Sequence, residues 1–525
     1  MKKIFLLMTL LIMSMSNYAY DIAVENADGV IIYYNYVNEG KDLEVTNGYI
    51  PYLGDINIPE TVTYMNRTRN VTSIRSYTFY HNRNIFSVTI PRSITFIGQK
   101  AFEDCNSLTS VQISDITAWC KIVFEEPGTS NPLVHARHIY LNGEEIQDLV
   151  IPNNITSITA GAFYGCFGLI SATIPEGVTE IGERVFDNCR NLKTISIPSS
   201  VKSIGRYAFD FNERLSAVHI SDIAAWCEID FVGYHWWANP LYYAHHLYVN
   251  GVEIKDLVIP DGVKSIGNFA FGGCSNLTSL TIPNSVSAIG SDAFDGCDIP
   301  TVISYVQNPF ELSSGSFTQN TLMNATLYVP DEAIEKYKVT KGWKDFLFVE
   351  PITELNSKLF KLTYDVNGEE YKVHEMKYGS SVSPETEPER EGHTFSGWSE
   401  IPETMPAHDV TVTGSFIVNK YQITYIIDGE EFATDYVEYG ATIEPPTVEE
   451  KEGFTFLGWD DIPETMPAHD IVVHASYTSG IIGVLMVNQK NVRIFSPDGK
   501  KLDKLQRGLN IVILDDGTVK KVMVK

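Results

Sequence analysis

The chain has 525 residues and a formal net charge of −27. It is too long for a single domain, for which ~150 residues is the usual scale. It is too acidic to hold phosphate backbones, which require Lys and Arg to release counterions, and no basic stripe restores that attraction locally, so nucleic acid and anionic membrane are excluded as partners. With 28 Tyr and 26 Phe it is also too aromatic for a disordered chain.

In chain order, the first element reads as an export signal. Lys2 and Lys3 precede an apolar run from Ile4 to Met13, which is shorter than the ~20 residues needed to cross a bilayer. Cleavage is expected after Ala19, making 1–19 a signal peptide and the mature chain secreted or displayed on the outer cell surface. No later segment is long and apolar enough to span a membrane. Residues 20–58 alternate in the β manner (Val30-Ile31-Ile32-Tyr33-Tyr34) and are expected to cap the open edge of the repeat array beyond them.

Between 59 and 303 one pattern recurs: Ile-Pro, then Ile-Gly, Ala-Phe, Cys and Leu at fixed offsets. Pro152, Pro175 and Pro198 are 23 residues apart, as are Pro260 and Pro283. Leu277, Leu280 and Ile282 are spaced by three and two, as are Leu108, Val111 and Ile113. Such spacing suits a short strand whose apolar side chains face a solenoid core. The Ala-Phe pairs (Ala101-Phe102, Ala162-Phe163, Ala270-Phe271) fall where one helical turn would form the opposite wall. This signature resembles the BspA-like leucine-rich repeat of bacterial surface proteins. The resemblance covers about half the chain and implies surface adhesion to a host or matrix protein or glycan, with no catalytic residues.

Two coils, 114–151 and 221–259, are expanded. Trp119-Cys120 aligns with Trp226-Cys227, Asn131-Pro132-Leu133 with Asn239-Pro240-Leu241, and Asn142-Gly143 with Asn250-Gly251. Asn-Gly between strand-like residues predicts a tight hairpin. The recurrent Trp119 and Trp226 are expected in the core. The second copy alone carries Tyr234, His235, Trp236, Trp237, Tyr242 and Tyr243, and these are the candidate binding residues. The strand surface between the inward positions offers only small hydroxyls such as Ser171, Thr173 and Ser196, which make poor anchors.

Residues 304–352 leave the repeat and are expected to cap its end. Thr326–Val329 reads as the last strand, and Asp331 as the N-cap of a short helix to Tyr337. From 358 the period changes to 61: Gly397-Trp398 matches Gly458-Trp459, and the nine residues from Ile401 to Asp409 recur unchanged at 462–470. These two units, 358–417 and 419–478, resemble the internalin-type B repeat, a β-grasp-like module that serves as spacer or interaction unit, and Trp398 and Trp459 are expected to fill their cores. Residues 480–525 read as a short β-module resembling the sorting domains of type IX secretion. The expected fold is thus a mainly β repeat protein: a leucine-rich repeat solenoid, two small β-grasp-like domains and a C-terminal β-module.

No chemistry-bearing constellation emerges. Cys105, Cys166, Cys189, Cys274 and Cys297 share one place in the repeat, where Asn82 and Asn212 substitute. Their spacing reflects the repeat, not a zinc site, and they are expected to be buried free thiols. His135 and His138 do not both align with His245 and His246, against a duplicated metal site. Neither a Gly-x-Ser-x-Gly nucleophile nor a phosphate-cradling glycine loop occurs. No cofactor, no metal and no enzymatic activity are expected; a structural spacer without a specific ligand is the alternative function.

Overall fold

The computed structural model describes residues 20–233, 237–452, 454–479, 492–514 and 517–524. The chain forms two compact units divided between Lys358 and Leu359. The expected signal peptide lies outside the described residues.

The first unit is a solenoid. Each coil supplies one short parallel strand to a wall, for example Asp148–Val150, Ser171–Thr173, Thr194–Ile197, Ala217–Ile220 and Leu247–Val249. A β-strand alternates its side chains, so Leu108, Ala172, Ile195 and Leu280 all enter a single core running from Ile22 to Phe346. A second wall is built from two-residue strands at the Ile-Gly position, such as Glu180–Ile181 and Ser203–Ile204. One coil could not bury its own apolar face, so the stack is the unit of stability.

The Ala-Phe segment does not form the expected helical turn. A helix would close each N–H on its own coil. Here Phe163 N donates to Val185 O at 3.0 Å and Phe186 N to Ala208 O at 2.9 Å, so the bonds join neighbouring coils. The turns are set by left-handed residues before the Ala position and two after the Phe: Arg184 (φ 56°) with Asn188 (φ 59°), and Tyr207 (φ 58°) with Phe211 (φ 56°). This geometry lets the rings stack, with centroids 5.6 Å apart for Phe163–Phe186 and 5.5 Å for Phe186–Phe209.

It also explains the alternation of Cys and Asn. Cys189 Sγ donates to Phe163 O at 3.2 Å and Cys105 Sγ to Phe79 O at 3.1 Å. Asn212 Nδ2 makes the same bond to Phe186 O at 2.9 Å. The place therefore requires a compact donor, and thiol and amide both serve. All seven cysteines are free and buried, and burial pushes the Cys105 thiol up to about 12, far from reactive thiolate character.

Both ends differ from expectation. At the N-terminus, Ile22–Glu25, Ile31–Val37 and Asp42–Thr46 form an antiparallel cap, but Gly54–Asn57 already pairs in parallel with Ile85–Ile90 as the first wall strand. At the C-terminus the coil geometry continues beyond 303. Phe317 stacks on Phe294 at 5.3 Å. Thr326–Val329 is followed by a further parallel strand, Phe348–Pro351. The short helix to Tyr337 forms, as a 3-10 turn Asp331–Ala333 leading into Ile334–Tyr337, but Asp331 is not its N-cap. The carboxylate instead accepts from Thr353 Oγ1 at 2.8 Å and Thr353 N at 3.4 Å, fastening the first turn of the final helix Ile352–Ser357.

In the second unit the two 61-residue repeats share one plan. Leu359–Val366 pairs antiparallel with Glu369–Lys377 and parallel with Val410–Gly414; Lys420–Ile427 does so with Glu430–Glu438 and Ile471–Ser479. The hairpins turn at Asn367-Gly368 and Asp428-Gly429, with positive φ at both residues, as a two-residue turn of this type requires. The identical nine-residue run supplies buried Met405 and Met466, whose N–H groups bond to Ser380 O and Ala441 O. Trp398 and Trp459 do not fill the cores. They are half-buried and cover Tyr364 and Tyr425 at 4.9 Å each. The last element is a four-stranded antiparallel sheet of Arg493–Phe495, Lys501–Leu502, Gly508–Ile513 and Val519–Val524.

Candidate ligand-binding surface on the second expanded coil

The two expanded coils are built alike. Asp115 and Asp222 cap the short helices Ile116–Trp119 and Ile223–Cys227 by accepting backbone N–H bonds. Trp119 and Trp226 are in the core, and their Nε1 groups donate to Ala162 O (2.9 Å) and Ala270 O (2.7 Å). The Asn-Gly turns form as expected, with Asn142 and Asn250 at φ 53° and 52°. His138 and His246 hold these hairpins through Glu145 and Glu253, each pair at 2.6 Å. No group of three or more metal-ligating side chains occurs among the described residues.

The hairpin return strands, Glu144–Glu145 and Val252–Glu253, end the parallel ladder at two places and divide the wall into three sheets. Across each break a buried asparagine takes over. Asn131 Nδ2 donates to Gly161 O at 2.7 Å while its Oδ1 accepts from Leu133 N, and Asn239 repeats this with Phe269 O and Leu241 N. The recurrence of Asn-Pro-Leu was visible in the sequence, but its bridging role was not.

The copies part at their aromatic residues. Tyr234, His235 and Trp236 lie outside the described residues. Trp237 is half-buried and stacks on Tyr207 of the preceding coil, with centroids 4.8 Å apart and planes at 24°. The Arg184 guanidinium lies over the Tyr207 ring, 4.3 Å from its centroid, and extends toward Tyr164 at 5.8 Å. Tyr243 donates its hydroxyl to Asp210 at 2.7 Å and accepts from Phe211 N at 3.0 Å. Tyr242 is exposed and meets Tyr243 edge-on at 5.8 Å. Four coils thus contribute to one aromatic and cationic strip. Tyr164, Arg184 and Tyr207 carry no signal in the sequence because their neighbours in space lie 20 to 30 residues away.

Beneath the strip sits Asp187, fully buried, 2.5 Å from Arg184 Nη1, with Oδ1 lacking a hydrogen-bond partner. Burial raises its carboxyl to about 7, against the opposing pull of Arg184, and nearby Asp210 raises it further. The native state therefore holds a proton that the unfolded chain gives up near its ordinary value of ~3.9. The stability tied to that proton is present in acid and is lost as pH rises from about 4 through about 7. The melting temperature of Asp187→Asn is expected to fall less than that of the native chain between pH 5 and pH 8; equal slopes would remove Asp187 as the cause.

The strand wall offers less. Ser87, Ser171 and Ser279 spend their hydroxyls on Asp55, Asp148 and Asp256, each at 2.6 Å. Each of these carboxylates lies on the first strand of one of the three sheets.

Parallel coils with one strand each, stacked around a continuous core, define a leucine-rich repeat solenoid. The chain belongs to the BspA-type leucine-rich repeat family, whose model matches residues 56–128, 136–226 and 244–366 in six copies. Residues 360–415 and 421–474 match the Listeria-Bacteroides repeat domain. Among curated relatives, Internalin H of Listeria monocytogenes serovar 1/2a is 31% identical over 149 residues, covering 25% of this chain and 26% of that protein. A putative membrane protein of Evansella cellulosilytica is 34% identical over 139 residues, covering 23% and 21%. The chain thus spans about a quarter of the length of the curated relatives it matches. Among solved structures, a leucine-rich repeat protein from Bacteroides ovatus aligns at 21% identity and TM-score 0.36, over 66% of this chain and 95% of that one. A leucine rich cell surface protein from Faecalibacterium prausnitzii aligns at 20% and 0.33, over 63% and 95%.

Proposed function

We propose that this protein is a secreted or cell-surface binding protein whose solenoid recognises a host or matrix macromolecule, protein or glycan, without catalysis. The observation that carries this reading is the strip formed by Tyr164, Arg184, Tyr207 and Trp237. Tyr, Trp and Arg are the residues that anchor interfaces, because they bury large areas while keeping polar handles. With Tyr242 and Tyr243, and with Tyr234, His235 and Trp236 adjoining in sequence, this face is the binding surface. The two 61-residue repeats serve as a stalk, and the C-terminal module as a sorting element. The internal engagement of the strand-wall hydroxyls favours this face over the wall, and equally supports the second reading, a structural spacer without a specific ligand.

The test is a binding screen of the full chain against extracellular matrix proteins and glycans, followed by Tyr207→Ala and Trp237→Ala. Each variant is expected to lose roughly thirtyfold in affinity, the scale of a hot-spot truncation of ~2 kcal/mol. Saturable binding that survives both substitutions would move the site elsewhere, and an empty screen would favour the spacer.

A further inference from the structure

We propose that the cleft between the N-terminal cap and the first coil is a carbohydrate site that takes a short neutral oligosaccharide. The cleft, of about 460 Å³, lies where residues 47–52 pass over residues 77–84. Its size is that of a small-ligand pocket, roughly 300–1,000 Å³. Tyr52 and Phe79 are buried at its base, with centroids 4.9 Å apart. Tyr77 and Tyr80 form its sides, 43% and 39% exposed, with centroids 5.4 Å apart and planes at 80°.

Neither exposed ring is required by the coil. The same two places hold Lys100 and Glu103 in the next coil, Arg184 and Asp187 in another, and Asp292 and Asp295 in the last full repeat. In these three coils the chain turns without an aromatic at either place. Two tyrosine faces at right angles offer apolar surface to the C–H face of a pyranose while their hydroxyls remain wet.

The polar groups fit the same ligand. The chain carries 66 acidic residues, yet no carboxylate lines the cleft, and Asp104, which meets the lining residue His81 at 2.8 Å, is engaged by it, so a cationic ligand finds no free counter-charge. One arginine, Arg83, lines it, too few for a polyanion. Arg83 and Asn84 are exposed, and their side chains form no hydrogen bond or ion pair among the described residues. A guanidinium and a carboxamide suit the adjacent hydroxyls of a sugar. Beneath Gly48, which also lines the cleft, lies the ring of Tyr33; a Cβ at position 48 would stand 2.1 Å from it. Tyr33 is buried, and its hydroxyl lies against the backbone of Ile50, another residue of the cleft.

The site is separate from the strip proposed above and does not depend on it. The experiment is saturation-transfer NMR of the full chain with maltohexaose, cellohexaose, laminarihexaose and chitohexaose, with decaproline as the peptide alternative, since aromatic grooves also receive polyproline segments. At least one hexasaccharide is expected to bind. Tyr77→Ala and Tyr80→Ala should each weaken it about tenfold, and Asn84→Ala about fivefold. Trp237→Ala should leave this binding unchanged, which separates the two sites. The proposal is overturned if no hexasaccharide shows transfer, if decaproline binds in their place, or if a folded Tyr80→Ala variant keeps native affinity. Should Tyr80→Ala fail to fold, the exposed Asn84→Ala decides on the same criterion.

Discussion

The Gly205→Ala variant is expected to melt several degrees below the native solenoid. A Cβ at this position would lie 2.5 Å from Glu183 N and 2.7 Å from Gly182 C. Both are backbone atoms of the preceding coil, so no side chain can rotate away. The coils approach closely here because Gly205 N donates to Ile181 O at 2.8 Å, and a methyl group must separate them. Overpacking costs ~1–3 kcal/mol when side chains can yield; against backbone the upper end applies, about 3 kcal/mol. The glycine of the Ile-Gly motif is therefore a spacing requirement between coils. Gly267→Ala is the internal control, since its nearest atom, Cys227 O, would stand at 3.0 Å. Thermal denaturation of the two variants should rank Gly205→Ala as clearly the less stable, and the reverse order would contradict the close-approach argument.

Asn131→Ala and Asn239→Ala are expected to destabilise by about 3 kcal/mol each. Each amide is buried and bonded on both sides, to a carbonyl of the following coil and to an N–H two residues on. Truncation leaves the N–H of Leu133 or Leu241 buried without a partner, at ~1–3 kcal/mol, and takes from the carbonyl of Gly161 or Phe269 one of its two donors, the other being Tyr164 N or Gly272 N, at about 1 kcal/mol. The asparagines occupy different coils and share no partner, so the losses in chemical denaturation should add in the double variant. A loss below ~1 kcal/mol for either would mean that water replaces the amide and that the breaks are held by Trp119 and Trp226 instead.

The legible part of the fold is the part that periodicity reports. The spacing of Leu277, Leu280 and Ile282 marks inward positions, and all three are buried. The Asn-Gly pairs marked the hairpins because few residues tolerate two consecutive positive φ values. The turn wall reads as helical from the sequence because its left-handed positions hold Arg184, Tyr207, Phe211 and Phe269, and glycine is the usual sign of that conformation. Hydrogen bonds between coils, which hold these residues there, leave no mark within one repeat. The same holds for the candidate surface. Trp237 was visible as a residue unmatched in the first copy, but its stack with Tyr207 and Arg184 depends on the register across an expanded coil.

The division of the wall into three sheets has a mechanical consequence. Within each sheet, tension along the stacking axis is shared by a continuous backbone ladder, whose bonds must fail together. At the two seams the wall carries no ladder, and the load passes through Asn131 and Asn239, the indole N–H groups of Trp119 and Trp226, and the turns behind them. A chain tethered at one end and gripped at the other would give way at these seams first. It would lengthen in stages while each block of coils kept its shape, and a ligand held within the middle block would stay bound while the molecule stretched around it.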